Sequence, residues 1–158
     1  MKNALFIICL LLLSSAVVAT DFSGTWVLNR DKSELGEGFG ARMAATKIVV
    51  VQKDDSLVIE STRIGRDGEE RVMTNEMTLD GKENKRSTEW AEIVSTAKLE
   101  GDALNIATTR LFERNGETFE MKSSQKWTLM DDGKTLNIDL KTESRRGENE
   151  MKLVYDKE

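Results

Sequence analysis

Hydrophobic and polar residues alternate along most of the chain from residue 24 to residue 156, and turn residues interrupt the alternation at short intervals. A period of two is typical of β-strands with one buried face, and no helical period persists for more than a turn or two. The chain has no proline, so Asp-Gly, Asn-Gly and Asp-Asp pairs supply the turns. The pattern predicts an all-β fold of about nine or ten antiparallel strands joined by hairpins.

A meander of this length either closes into a barrel or divides into two packed sheets, because long exposed edges invite aggregation. The connections are local, whereas a sandwich usually needs long crossings between its sheets. We therefore predict an up-and-down barrel of about eight to ten strands. The number of strands stays open because the stretch 83–91 is either a strand with Trp90 inward or a longer loop. The long strand 117–130 is predicted to be bent or bulged.

The predicted inward face of the strands is mostly apolar, but it also carries polar residues. A dry core would exclude them, because each unpaired polar group costs about 1–3 kcal/mol. They indicate a wet cavity, strand ends that reach solvent, or bulges that turn these positions outward. The polar inward residues are Ser61, Arg63, Asn75, Thr108, Arg110, Ser123, Gln125 and Thr142.

If ten strands run up and down, the turns at Asp54, Asp80, Gly101 and Asp131 all fall at one end of the barrel. Large apolar residues of the inward face then gather at that end, and we predict that they form a plug. The aromatic members of this structural plug are Trp26, Trp127 and Tyr155.

The opposite end is the predicted binding end, where Arg63 and Arg110 meet if 83–91 is a strand and separate if it is a loop. An apolar pocket with two guanidinium groups at its mouth suits an amphipathic anion such as a fatty acid, since arginine binds a carboxylate through two parallel hydrogen bonds. The candidate ligand-binding residues are Arg63, Met73, Asn75, Thr108, Arg110, Phe112, Phe119, Met121 and Ser123.

Short motifs resemble those of the lipocalin-like barrels of the calycin superfamily, and of small secreted bacterial proteins of that kind. They are Gly24-x-Trp26 at the start of the first strand, within Ser-Gly-Thr-Trp-x-Leu-Asn, then Lys32-Ser33, 132–136 (Asp-Gly-Lys-Thr-Leu) and 153–156 (Leu-Val-Tyr-Asp). The resemblance implies a closed barrel with the tryptophan at its plugged end and a small ligand inside. The chain departs from the lipocalin pattern in having no possible disulfide and no C-terminal helix.

The N-terminus has the features of a secretory signal peptide: Lys2, an apolar run over 4–13, and Val17-x-Ala19 as a cleavage site. We expect cleavage after Ala19, a periplasmic or secreted protein, and one mature domain over 20–158. An uncleaved anchor is the alternative, although the apolar run is short for a membrane span. We expect no membrane insertion after cleavage, and a monomer.

Composition excludes several classes of chemistry. The chain has no histidine, and its single cysteine lies in the apolar N-terminal run, so Ser-His and Cys-His catalysis is excluded. Its 23 basic and 28 acidic residues are interspersed, which argues against a nucleic-acid partner. The carboxylate pairs Asp54-Asp55 and Asp131-Asp132 stand in predicted hairpin turns, where solvated side chains are expected. We expect no enzyme activity, metal or cofactor.

Two functions remain open at this point. The first is an extracytoplasmic carrier of a small apolar or amphipathic ligand. The second is an envelope protein-interaction or structural module with a filled barrel and functional loops, for which we expect an exposed apolar patch around Phe39 and Met43.

Overall fold

The structure is a computed structural model that describes residues 19–36, 44–114, 116–145 and 147–158. These residues form ten antiparallel strands and one short 3-10 turn at Asp131–Gly133. No helix in these ranges is long and apolar enough to cross a membrane. The strands are β1 (Gly24–Leu28), β2 (Lys47–Lys53), β3 (Ser56–Ile64), β4 (Glu70–Thr78), β5 (Asn84–Ser87), β6 (Ala91–Glu100), β7 (Ala103–Arg114), β8 (Glu117–Met130), β9 (Thr135–Ser144) and β10 (Gly147–Lys157).

All ten strands belong to one sheet with the order β4-β3-β2-β1-β10-β9-β8-β7-β6-β5. Sequential strands are neighbours, and β1 pairs with β10, which curls the meander into a nearly closed barrel. The two end strands, β4 and β5, are joined by side-chain hydrogen bonds instead of a backbone ladder. We call this line the β4–β5 seam. The all-β barrel prediction is confirmed, and the two-sheet alternative is not formed.

Two details of the strand prediction are corrected. The stretch 83–91 does contain a strand, β5, but Trp90 lies in the following turn with 74% of its surface exposed. The bulge predicted in β8 is wrong, since β8 pairs residue for residue with β7 and with β9. The pairing is continuous along both neighbours, so the period of two alone keeps Trp127 inward.

The turns at residues 54, 80, 101 and 131 lie at one end of the barrel, which we call the closed end. There Trp26, Trp127 and Tyr155 are almost completely buried, together with Leu57, Leu104 and Leu136. Phe22, which the pattern did not single out, is also fully buried: its ring meets that of Trp127 edge-on, with centroids 6.3 Å apart. The backbone carbonyl of Phe22 accepts a 3.0 Å hydrogen bond from Trp26 Nε1, so the plug's indole nitrogen is satisfied.

Three of the short motifs meet in space along β10. Asn29 Nδ2 donates to Asp156 Oδ2 (2.6 Å), and Lys32 Nζ lies 3.2 Å from Asp156 Oδ1. Ser33 Oγ accepts a 2.9 Å hydrogen bond from the backbone N–H of Val154. The segment after β1 is therefore fastened to the last strand by side chains. The predicted signal peptide, 1–19, lies outside the described residues except for Ala19.

Candidate functional site

A small chamber of about 90 Å³ lies between the plug and the opposite, open end of the barrel. Its apolar walls include Ile59, Ile106 and Ile138, with Trp127 and Tyr155 from the plug. The surrounding strands also contribute polar inward residues to its lining. The polar residues of the lining are Ser61, Arg63, Asn75, Ser95, Thr108, Arg110 and Gln125.

Arg63 stands near the end of β3, next to Arg71 on β4. Its Nε atom is buried and has no hydrogen-bond partner among the described residues. Burial lowers the pKa of the Arg63 guanidinium, and the nearby Tyr155 raises it by a smaller amount. Because an arginine side chain stays charged in proteins, Arg63 places a positive charge and unused hydrogen-bond donors inside the barrel.

Arg110 reaches the same region from β7 on another wall, where it pairs with Ile93 on one side and Met121 on the other. Its guanidinium makes no hydrogen bond with any described residue. Burial lowers the pKa of Arg110, and the positive charges of Arg63 and Arg86 lower it further. The barrel thus brings Arg63 and Arg110 together, and neither guanidinium has a carboxylate partner within the described part of the chain.

Tyr155 connects the plug to the open end. Its side chain is fully buried, and its hydroxyl donates a 3.0 Å hydrogen bond to the backbone carbonyl of Ala45, just before β2. Burial raises the pKa of the Tyr155 hydroxyl, while the charge of Arg63 lowers it by a smaller amount. The hydroxyl therefore stays protonated at neutral pH and fixes the floor of the chamber.

Most other polar groups of the lining are already paired. Ser95 Oγ and Thr108 Oγ1 are 3.1 Å apart, and Trp127 Nε1 donates to Gln125 Oε1 at 2.9 Å. Asn75 faces the chamber without a side-chain hydrogen bond to any described residue. The two arginines, Asn75 and the amide nitrogen of Gln125 thus have unused hydrogen-bonding capacity in the lining.

The candidate binding residues divide into two groups. Arg63, Asn75, Thr108 and Arg110 line the chamber. The remaining candidates face inward but do not line it: Met73, Phe112, Phe119, Met121 and Ser123. Among these, Phe112 and Phe119 pair directly near the open end, where the guanidinium of Arg145 lies 4.5 Å from the Phe119 ring centroid.

Sequence reasoning missed Ser95 and Arg86. Ser95 continues the alternation Ile93-Ser95-Ala97-Leu99 of β6, so the period of two contained its signal. Arg86 lies on β5, which is only four residues long and carries too little alternation to assign a face.

The described residues contain no group of three or more potential metal-ligating side chains. The acidic pairs 54–55 and 131–132 are exposed in turns at the closed end, far from the chamber. The inward face of the described strands therefore offers hydrogen-bond donors for an anion.

Comparison with known proteins gives a likeness of fold. No protein-family model and no curated protein sequence matches the chain. Solved structures do match, including the ileal bile acid-binding protein of zebrafish, solved in complex with cholic acid. That match covers 87% of this chain and 98% of the other, with a TM-score of 0.55 and 18% sequence identity. The chain thus shares the β-barrel fold of this neighbour, in agreement with the Gly-x-Trp resemblance at the level of the fold.

Proposed function

We propose that the protein is an extracytoplasmic, lipocalin-like binding protein that holds a small amphipathic anion in its barrel. The observation that carries this proposal is the pair of inward guanidinium groups, Arg63 and Arg110, which lack acceptors in the described chain. An arginine provides five N–H donors, and at Arg63 the Nε donor is buried without an acceptor among the described residues, which is costly. A bound anion would supply both the acceptors and the opposite charge.

The proposed ligand lies with its head group between Arg63 and Arg110. Its apolar part then contacts the inward residues near the open end, among them Phe112, Phe119 and Met121. Ligand sites of this kind combine apolar walls with a few polar groups that fix orientation. The solved zebrafish neighbour was complexed with cholic acid, a small amphipathic molecule, and this supports the same class of ligand here.

The size of the chamber limits what is held within it. Pockets for drug-sized ligands measure roughly 300–1,000 Å³, and the chamber measures about 90 Å³. It accommodates a head group, so the chain of a longer ligand extends toward the open end. We further propose that the signal peptide directs a monomer to the periplasm or the exterior, as a relative of small secreted bacterial lipocalin-like proteins.

The same small volume favours a second candidate, an envelope interaction module with a largely filled barrel. The residues named for its apolar patch, Phe39 and Met43, lie outside the described residues, but Trp90 is an exposed aromatic residue in the turn between β5 and β6. This candidate predicts that the protein binds no amphipathic anion and that a partner from the envelope is retained by wild type and lost by Trp90→Ala.

Isothermal titration calorimetry with sodium dodecanoate tests the first candidate. Wild type should bind, and Arg63→Met and Arg110→Met should each weaken binding by about tenfold or more, because one charge-assisted hydrogen-bonded group is removed. Arg66→Met is the matched control, since Arg66 is exposed in the turn after β3. Absence of binding by wild type, or an equal loss in Arg66→Met, would contradict the proposal.

A further inference from the structure

We infer that the preferred head group is a dianion of the phosphate-monoester type, bound by three arginines: Arg63, Arg110 and Arg86. This inference rests on the proposed function and narrows its ligand class. It depends on where β5 places Arg86, on the charges that face the chamber, and on the shape of the guanidinium group.

The sheet register places Arg86 and Arg110 on the same inward row. Arg86 on β5 pairs with Ile93 on β6, and Ile93 pairs with Arg110 on β7. Ile93 is buried with its side chain inward, and residues paired across strands share a face. Arg86 is exposed and does not line the chamber, but this row places it one strand beyond Ile93, at the β4–β5 seam.

The guanidinium of Arg86 spans this seam. Its Nη1 atom donates a 2.7 Å hydrogen bond to the backbone carbonyl of Thr74 on β4, and Thr74 is followed by Asn75 in the chamber lining. The other N–H groups of the Arg86 guanidinium remain available to bind a ligand, because no other side-chain hydrogen bond joins Arg86 to a described residue. Arg63 on β3, Arg86 on β5 and Arg110 on β7 thus approach from three different strands.

Negative charge facing these groups is scarce. Within the described strands the single inward carboxylate is Glu117, at the open end of β8, and it forms an ion pair with Arg145 (3.5 Å). Arg71, which stands beside Arg63, is paired with Asp67 in the turn (2.7 Å). The Tyr155 hydroxyl is protonated at neutral pH because burial raises its pKa. The three arginines therefore retain an excess positive charge that a monocarboxylate would only partly offset.

A phosphate monoester matches this arrangement in charge and in geometry. It carries close to two negative charges at pH 7 and three strong acceptor oxygens. The guanidinium group of arginine binds phosphate through paired N–H···O bonds, and clusters of arginine are a usual means of phosphate recognition. A carboxylate offers one charge and two oxygens, so it engages fewer of the available donors.

The test compares dodecyl phosphate with dodecanoate by calorimetry, because the two ligands share a chain and differ in the head group. At pH 7.5 we expect dodecyl phosphate to bind wild type at least about tenfold more tightly, which corresponds to 1.4 kcal/mol. At pH 5.5 the advantage should shrink, since the second phosphate pKa is about 6. The protein has no histidine, so this pH dependence belongs to the ligand.

Variants of Arg86 test whether this residue causes the preference for dodecyl phosphate over dodecanoate. Arg86→Gln should weaken binding of dodecyl phosphate by about tenfold or more and binding of dodecanoate by a smaller factor, because the two inner arginines still bind a carboxylate. Arg86→Lys keeps the charge but loses the planar guanidinium, so its affinity for dodecyl phosphate should lie between those of wild type and Arg86→Gln. Arg66→Gln should bind dodecyl phosphate as tightly as wild type. Dodecanoate binding shows in each case that the variant is folded.

The outcomes separate this inference from the proposed function. Equal affinity of wild type for the two ligands would overturn the inference and leave the proposed function standing. A preference that survives in Arg86→Gln would overturn the role of Arg86. Failure of both ligands to bind would overturn the proposed function and the inference together.

Discussion

The two ends of the barrel differ in how their inward polar atoms are satisfied. At the closed end Trp26 and Trp127 are buried, and each indole nitrogen has a hydrogen-bond acceptor within the chain. At the open end Arg63 and Arg110 face the interior without an acceptor among the described residues. The same strands carry both ends, so the difference comes from the side chains and not from the architecture. We interpret the closed end as the source of stability and the open end as the place of function.

The cations differ between the chamber and the turns of the closed end. Arg63 and Arg110 line the chamber, whereas the closed-end turns carry the exposed Lys82 and Lys134. Lysine is a strongly hydrated point charge that suits a soluble surface, and arginine is a planar group that suits anions. The arginine side chains of the chamber therefore match the proposed anionic ligand.

The largest expected effect is the loss of plug stability in Trp127→Ala. Removing a buried tryptophan costs about 3–5 kcal/mol, because packing is lost and a cavity remains. Urea unfolding should show this decrease in the free energy of unfolding. Trp90→Ala removes the same side chain from an exposed turn and should change stability by less than about 0.5 kcal/mol. Similar losses in both variants would remove the contrast between a packed end and an open end.

The next effect concerns Tyr155, which joins the two ends. Tyr155→Phe leaves the Ala45 carbonyl without its donor and should cost about 1–3 kcal/mol in the free energy of unfolding. It should also change the alkaline side of the stability profile. An unfolded tyrosine ionises near pH 10, whereas burial raises the pKa of Tyr155 in the folded protein.

The sign of this pH dependence follows from that difference. The unfolded state loses the tyrosine proton first, so the contribution of Tyr155 is complete below about pH 10 and is lost progressively as the pH rises above it. Chemical unfolding at pH 8 and pH 11 should therefore show a smaller loss of stability in Tyr155→Phe than in wild type. An identical loss in both proteins would show that Tyr155 ionises normally in the fold.

A smaller effect of opposite sign is expected for Arg63→Met. Replacing a partly buried, unpaired guanidinium with an apolar side chain of similar length should raise the free energy of unfolding by about 1 kcal/mol. The same variant should bind dodecanoate at least about tenfold more weakly. Thermal unfolding and calorimetry measure the two changes, with Arg66→Met as the neutral control. A variant that is both less stable and still able to bind would contradict a binding role for Arg63.

The smallest effect lies outside the barrel, where the side chains of the short motifs meet. The hydrogen bonds from Asn29 and then Lys32 hold the pKa of the Asp156 carboxyl below its usual range. Its contribution to stability is complete above about pH 4 and is lost as the pH falls through the lowered value. Because this pair is exposed, Asp156→Asn should cost less than about 1 kcal/mol at pH 7. Urea unfolding should show a larger difference between Asp156→Asn and wild type at pH 7 than at pH 3.

Much of the fold was predictable because a period of two survives wherever one face of a strand is buried. The inward positions of Trp26, Trp127 and Tyr155, and the meeting of Arg63 with Arg110, follow from that period once the strands alternate in direction. The orientation of Trp90 was not predictable, because it depends on where a strand of only four residues ends. The side-chain link across the β4–β5 seam was also hidden, since no backbone ladder pairs the two end strands.

A crystal structure of the protein with bound dodecanoate would test the central claim most directly. We predict that the carboxylate oxygens lie within about 3 Å of guanidinium nitrogens of both Arg63 and Arg110, with the chain directed toward the open end. A ligand bound only on the outer surface of the barrel, or a carboxylate that contacts neither arginine, would contradict the account.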